Sequence, residues 1–110
     1  DWNLLLDEKG GPNHVGNYCE APIMLDGHGG LDHKGSYWYI GQFSRYIRPG
    51  AVRIEASRWC SELEVTAFRN LDGSTAVVML NRTPAYLVQN GVDLLAYTEV
   101  QPHSIITVVV

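Results

Sequence analysis

The sequence predicts a mostly β fold, in which one strand–helix unit precedes an antiparallel sheet of the sandwich type. Three observations carry this. Leu63, Val65 and Ala67 alternate with Glu62, Glu64 and Thr66, the period of a strand with one dry face. Turn signals recur through the C-terminal half about every 8–12 residues, as between the short strands of a sandwich. The run Trp2–Leu6 has no alternation, which suits a strand covered on both faces, as in a parallel sheet or barrel.

Each element follows in chain order. After the strand at 2–6, residues 7–21 have loop composition, and "APIMLD" at 21–26 is a short extended piece. "GHGGLDHKG" at 27–35 is turn-rich. "SYWYIGQFSRYIRPG" at 36–50 reads as a helix with Ser36 as N-cap. Tyr39, Ile40, Phe43 and Ile47 form its apolar stripe. Arg45 and Arg48 stand near its C-terminal end, where the dipole favours cations, and Pro49-Gly50 ends it. Gly41 marks close packing inside it. Six strands follow, at about 52–58, 62–69, 75–82, 85–89, 93–99 and 104–110. Asp72-Gly73 is a strong hairpin signal, and Asn90-Gly91 is a second turn candidate. Thr83-Pro84 separates the third strand from the fourth.

Composition limits the function. A chain of 110 residues, 45% of them hydrophobic, can build one modest core. Its net charge of −4 and its arginines, spread among apolar residues at 45, 48, 53 and 58, argue against a nucleic-acid partner. No apolar run approaches the roughly 20 residues of a membrane-spanning helix. Cys19 and Cys60 read as free thiols, since a secreted disulfide scaffold of this size carries more cysteines. The Gly pairs make no phosphate-binding pattern, and no cofactor is implied. His28 and His33, with Asp26 and Asp32, lack zinc-ligand spacing and read as a surface loop. Asn81-Arg82-Thr83 is a glycosylation sequon in form.

Three blocks carry a resemblance to a known family: "DWNLLLDEKGGPNHVGNYCEAPIMLD", "YWYIGQFSRYIRPGAVRI" and "VVMLNRT". They resemble the C-terminal end of the glucosylceramidase family, the acid β-glucosidase-like branch of glycoside hydrolase family thirty. A bacterial member is expected. Trp2, Gly10, Gly11, Pro12, Asn17, Pro22, Phe43, Ser44, Pro49 and Gly50 fall at the family's spacing. The resemblance weakens to pattern-level similarity after residue 83. It implies a (β/α)₈ barrel with a β-sandwich fused to its side. Residues 1–50 would be the last barrel strand, an active-site loop and the last barrel helix. Residues 51–110 would be the sandwich, and the rest of the barrel would come from a longer parent chain or a second copy. The true N-terminus is then expected upstream.

The resemblance also implies chemistry. The family hydrolyses β-glycosides with retention, using two carboxylates roughly 5–5.5 Å apart. Both are glutamates on the fourth and seventh barrel strands, which this chain does not contain. It should therefore be inactive alone. Its own Glu20, Glu55, Glu62 and Glu64 match neither. Sugar would bind at the C-terminal ends of the barrel strands, where Trp2 and the "GGPNHVGNY" loop fall. Trp2 would offer an indole face to the sugar ring and one N–H donor. Asn17 matches an active-site Asn whose amide can donate and accept. Tyr18 matches an aromatic position at the cleft entrance. His14 replaces an aromatic residue of the family at the cleft rim. Asn3 should point away, by strand alternation. A β-glucoside or glucosylceramide-like substrate is the implied partner. The competing reading is a non-catalytic β-sandwich module that binds carbohydrate or only stabilises. The strand half has few aromatics for such a face: Trp59, Phe68, Tyr86 and Tyr97.

Overall fold

The computed structural model describes residues 3–12, 14–58, 60–90 and 97–110. The chain divides into two units, with the division between Gly41 and Gln42.

In the N-terminal unit, β1 (Leu5–Leu6) runs parallel to β4 (Ile23–Leu25), and β5 (Leu31–His33) returns antiparallel to β4. Between them, β2 (Gly11–Pro12) and β3 (Tyr18–Cys19) form a separate small hairpin around a 3-10 turn at His14–Gly16. The β4–β5 turn is built by Asp26, whose Oδ1 accepts the backbone N–H of His28 at 2.8 Å and of Gly30 at 2.9 Å. These donors hold the Asp26 carboxyl below the usual carboxylate range. The strand expected at 2–6 is Leu5–Leu6 among the described residues. The sequence also understated this region. A hairpin occupies the expected loop, and β5 lies in the stretch read only as turn.

Helix α1 (Gly35–Ser44) spans the division. It ends earlier than the helix predicted over 36–50, and Ser36 lies inside it rather than capping it. The Tyr37 N–H donates to the Lys34 carbonyl at 3.0 Å, so the first turn starts at Lys34. Arg45 and Arg48 lie beyond the helix end. Asn70 provides part of the reason for the early stop. Its Oδ1 accepts from the Arg48 N–H, and its Nδ2 donates to the Tyr46 carbonyl, both at 3.0 Å. A side chain 24 residues away thus takes up backbone groups that the predicted helix would have used within itself.

The C-terminal unit contains all six predicted strands. β6 (Val52–Ile54), β7 (Leu63–Arg69), β8 (Thr75–Asn81) and β11 (Ser104–Val109) form one antiparallel sheet in the order β11-β8-β7-β6. β9 (Leu87–Asn90) and β10 (Tyr97–Val100) form a second, two-stranded sheet. The Asn90-Gly91 turn and the start of the strand predicted at 93 lie outside the described residues. Residues Leu63, Val65 and Ala67 share a face with Met79, Val77, Ile106 and Val108, as the register requires. That face meets Leu87 and Val100 of the second sheet, around Leu63, Met79 and Val100. At the β7–β8 turn Gly73 has φ 88°, a left-handed conformation that favours glycine.

Asn81 joins the two sheets. It is fully buried at the end of β8. Its Nδ2 donates to the carbonyls of Ala85 (2.7 Å), Val100 and Gln101 (both 3.0 Å). Its Oδ1 accepts from the Thr83 N–H at 2.9 Å and the Thr83 hydroxyl at 2.8 Å. The opposite face of the larger sheet receives the helix exit, where the Thr107 hydroxyl donates to the Gln42 carbonyl at 2.8 Å.

Candidate functional site

Of the four residues singled out for sugar binding, Trp2 lies outside the described residues. The other three, His14, Asn17 and Tyr18, all belong to the β2–β3 hairpin or its turn. Its geometry begins at Gly10, which is buried with φ 77°. A Cβ there would lie 2.6 Å from the Cys19 carbonyl oxygen and 2.9 Å from that of Tyr18. Glycine is therefore required by close backbone approach as well as by φ. Gly11 then pairs with Cys19 and Pro12 with Tyr18.

The turn carries Val15 at φ 52°, ψ 30°. A β-branched residue rarely adopts this conformation, which costs on the order of 1–3 kcal/mol where surrounding structure enforces it. Val15 is 93% exposed at the tip. Nothing in "HVG" signals this strain in advance. The Asn17 N–H closes the turn on the His14 carbonyl at 3.3 Å.

The three predicted residues differ in environment. His14 is exposed. Asn17 is half-buried, and its Oδ1 accepts the Cys19 S–H at 2.8 Å. Among the described residues nothing takes up its Nδ2. Tyr18 is 63% exposed and falls on the other face of β3 by alternation. Sequence reasoning treated Cys19 only as a free thiol.

Several other polar groups are engaged elsewhere. Lys34 pairs with Asp32 at 2.7 Å and Glu20 at 3.6 Å, and Asp32 is the main reason the Lys34 ammonium titrates above its usual range. Glu64 pairs with Arg82. The Ser61 hydroxyl donates to Glu62 at 2.9 Å and holds its carboxyl below the usual range, the opposite of what a general acid needs. His33 packs edge-on against Tyr37 at 4.4 Å, and Tyr37 likewise against Trp38 at 5.1 Å. Among the described residues no three His, Cys, Asp or Glu side chains are grouped to hold a metal ion. The Asn81 sequon is closed by burial, since the Nδ2 that a glycan would need is spent on three carbonyls. What the hairpin offers is hydrogen bonding and apolar contact.

Residues 50–108 match the family described as the "Glycosyl hydrolase family 30 beta sandwich domain". The chain is 47% identical over 83 residues to putative glucosylceramidase 1 of Caenorhabditis elegans, which covers 73% of this chain and 16% of that protein. It is 39% identical over 85 residues to the lysosomal acid glucosylceramidase of Mus musculus, covering 76% of this chain and 16% of that protein. The crystal structure of SrfJ from Salmonella typhimurium matches 99% of the chain with a TM-score of 0.88 at 36% identity. The matched region is 25% of SrfJ, so the chain spans a quarter or less of each of these relatives.

Proposed function

Because the chain belongs to glycosyl hydrolase family 30 and carries its β-sandwich domain at residues 50–108, we propose that it is the C-terminal part of a retaining β-glycosidase acting on β-glucosides. In this reading residues 1–48 supply the last barrel strand, the loop after it and the last helix. The sandwich stabilises the assembly. Two glutamates on the missing strands would act as nucleophile and as acid/base, roughly 5–5.5 Å apart. Trp2 and Asn17 would form part of the wall of the sugar pocket, with His14 and Tyr18 at its rim. None of these four is asked to transfer a proton. They would bind and orient the sugar so that the glutamates meet the anomeric carbon.

One observation carries this reading. The sandwich unit closes its own core, whereas the N-terminal unit leaves Leu4 68% and Leu5 52% exposed beside a parallel strand pair. Parallel strands are normally covered on both faces, so these leucines call for more polypeptide. The relatives' greater length is in keeping with that.

The test uses the full-length chain that contains this sequence and an aryl β-glucoside, with the anomeric configuration of the first-formed sugar read by NMR. Hydrolysis with retention is expected, together with loss of turnover when either upstream glutamate is changed to Gln. The 110-residue chain alone should hydrolyse nothing. Inversion, or turnover by the isolated chain, would overturn the proposal.

A further inference from the structure

We propose that Cys19 is a positioning residue for Asn17, holding its carboxamide so that the Nδ2 edge is the one offered to the sugar. The inference rests on the reading of Asn17 as a substrate contact. A carboxamide has two nearly isosteric edges, one accepting and one donating, and rotation about its last bond exchanges them. A donor fixed at one edge removes that ambiguity. The Cys19 S–H is such a donor, at 2.8 Å from Oδ1. As a donor it pairs with the oxygen edge, whereas the nitrogen edge would meet the sulfur only as a weak acceptor.

The hairpin fixes where that donor stands. Cys19 is paired with Gly11, and its carbonyl lies where any Cβ on Gly10 would collide at 2.6 Å. Residue 19 therefore cannot move toward residues 10 and 11 without displacing buried backbone. Asn17 immediately precedes β3 and shares the face of Cys19 by alternation. On the other side, the Asn17 N–H is held by the His14 carbonyl at 3.3 Å. The chain of support runs from Gly10 through Cys19 to the carboxamide. With Oδ1 occupied, two N–H donors remain on Nδ2, and no described residue uses them. The complementary ligand atom is an accepting oxygen, as in a sugar hydroxyl. Ordering this amide beforehand lowers the cost of binding, which is the benefit of a supported first contact.

The experiment is steady-state kinetics of the full-length chain on an aryl β-glucoside, with Asn17→Ala, Cys19→Ala, Cys19→Ser and the Asn17→Ala/Cys19→Ala double variant. Melting temperatures serve as a check on folding. Asn17→Ala should raise KM about ten-fold, the size of one lost hydrogen bond to the sugar. Cys19→Ala should raise KM by about two- to five-fold with kcat little changed, because S–H is a weak donor acting on binding. Cys19→Ser should restore KM, since a hydroxyl can donate to the same oxygen. In the Asn17→Ala background, Cys19→Ala should change nothing further. Equal effects of Cys19→Ala in both backgrounds would overturn the inference. So would a wild-type KM for Cys19→Ala beside an impaired Asn17→Ala, or failure of Ser to rescue. Each of these three results leaves the substrate reading of Asn17 standing. A wild-type KM for Asn17→Ala overturns that reading and the inference with it, and absence of turnover by the full-length chain does the same.

Discussion

In the C-terminal unit Leu63 and Val100 are wholly buried and Met79 is 2% exposed, whereas in the N-terminal unit Leu4 and Leu5 are 68% and 52% exposed. Both units are rich in aliphatic side chains, so composition does not explain the contrast. Topology does. The larger C-terminal sheet is antiparallel throughout, and the connection between its neighbours β8 and β11 itself supplies the two strands of the second layer. The N-terminal unit contains a parallel pair, β1 with β4, and the sheet that such a pair normally belongs to is made by crossovers. A local segment can complete the first arrangement. In the proposed reading, the second is completed by polypeptide from elsewhere.

The sharpest way to break the comparison is to remove the residue that closes the C-terminal core. Asn81→Ala deletes five hydrogen bonds and leaves the Val100 carbonyl and the Thr83 N–H without their partner. Several buried groups lose their bonds together, so the loss should reach about 3 kcal/mol in urea-induced unfolding of the 110-residue chain. A loss below about 1 kcal/mol would mean that the two sheets are held by apolar packing alone. The same burial predicts that Asn81 stays unmodified when the chain is expressed in a glycosylating host. A glycan at Asn81, detected by mass spectrometry, would contradict the buried geometry.

A smaller loss, about 2 kcal/mol, is expected for Asn70→Ala. Asn70 is 5% exposed and ties Tyr46 and Arg48 to the β7–β8 turn, where its Nδ2 also donates to the Ser74 hydroxyl at 3.0 Å. Circular dichroism should also show whether the helix end at Ser44 depends on it. An unchanged helix signal and midpoint would mean that the chain exits the helix for local reasons.

Asn70 and Asn81 mark the limit of what the sequence could reveal. The alternation of Leu63, Val65 and Ala67 and the Asp72-Gly73 turn are local signals, and they located the strands correctly. The helix end was misread because Ile47 continues the apolar stripe, while the side chain that captures the Tyr46 carbonyl and the Arg48 N–H lies 22 to 24 residues on. Asn81 showed only the form of a sequon, because the carbonyls that bury it come from residues 85, 100 and 101. The loop at 7–21 was read from its Gly and Pro content, which hides a two-residue strand pair just as well as it marks a loop. For the site, only the resemblance to the family pointed to Asn17. The thiol that faces it depends on a strand too short for its alternation to be seen.

Changes on the uncovered apolar surface should show the reverse behaviour. Leu5→Ser and Trp38→Ser, at positions 52% and 61% exposed, should move the stability of the 110-residue chain by no more than about 0.5 kcal/mol. In the full-length chain the same changes should cost about 2 kcal/mol or more, if other polypeptide buries these side chains. Equal, negligible effects in both chains would show that this surface stays open in the whole protein.

The smallest effect separates the units by their response to acid. Each has an Asp held below the ordinary value near 3.8 by turn donors: Asp26 by the N–H groups of His28 and Gly30, Asp72 by the hydroxyl and N–H of Ser74. The C-terminal unit also has Glu62, held below its usual range by Ser61. A carboxyl depressed in the folded state contributes stability above its unfolded pKa and loses it as pH falls through the folded pKa. For Asp72 the turn connects two core strands, β7 and β8, so its protonation is linked to unfolding of the whole sheet. The urea midpoint should therefore be level near pH 6 and fall below about pH 4, and Asp72→Asn should flatten that fall. Asp26 sits in a turn of the unit that closes no comparable core, so Asp26→Asn should leave the acid limb of the sheet's unfolding as it was. If both substitutions flatten the limb equally, the two units unfold as one, and the contrast in burial between them has no counterpart in cooperativity.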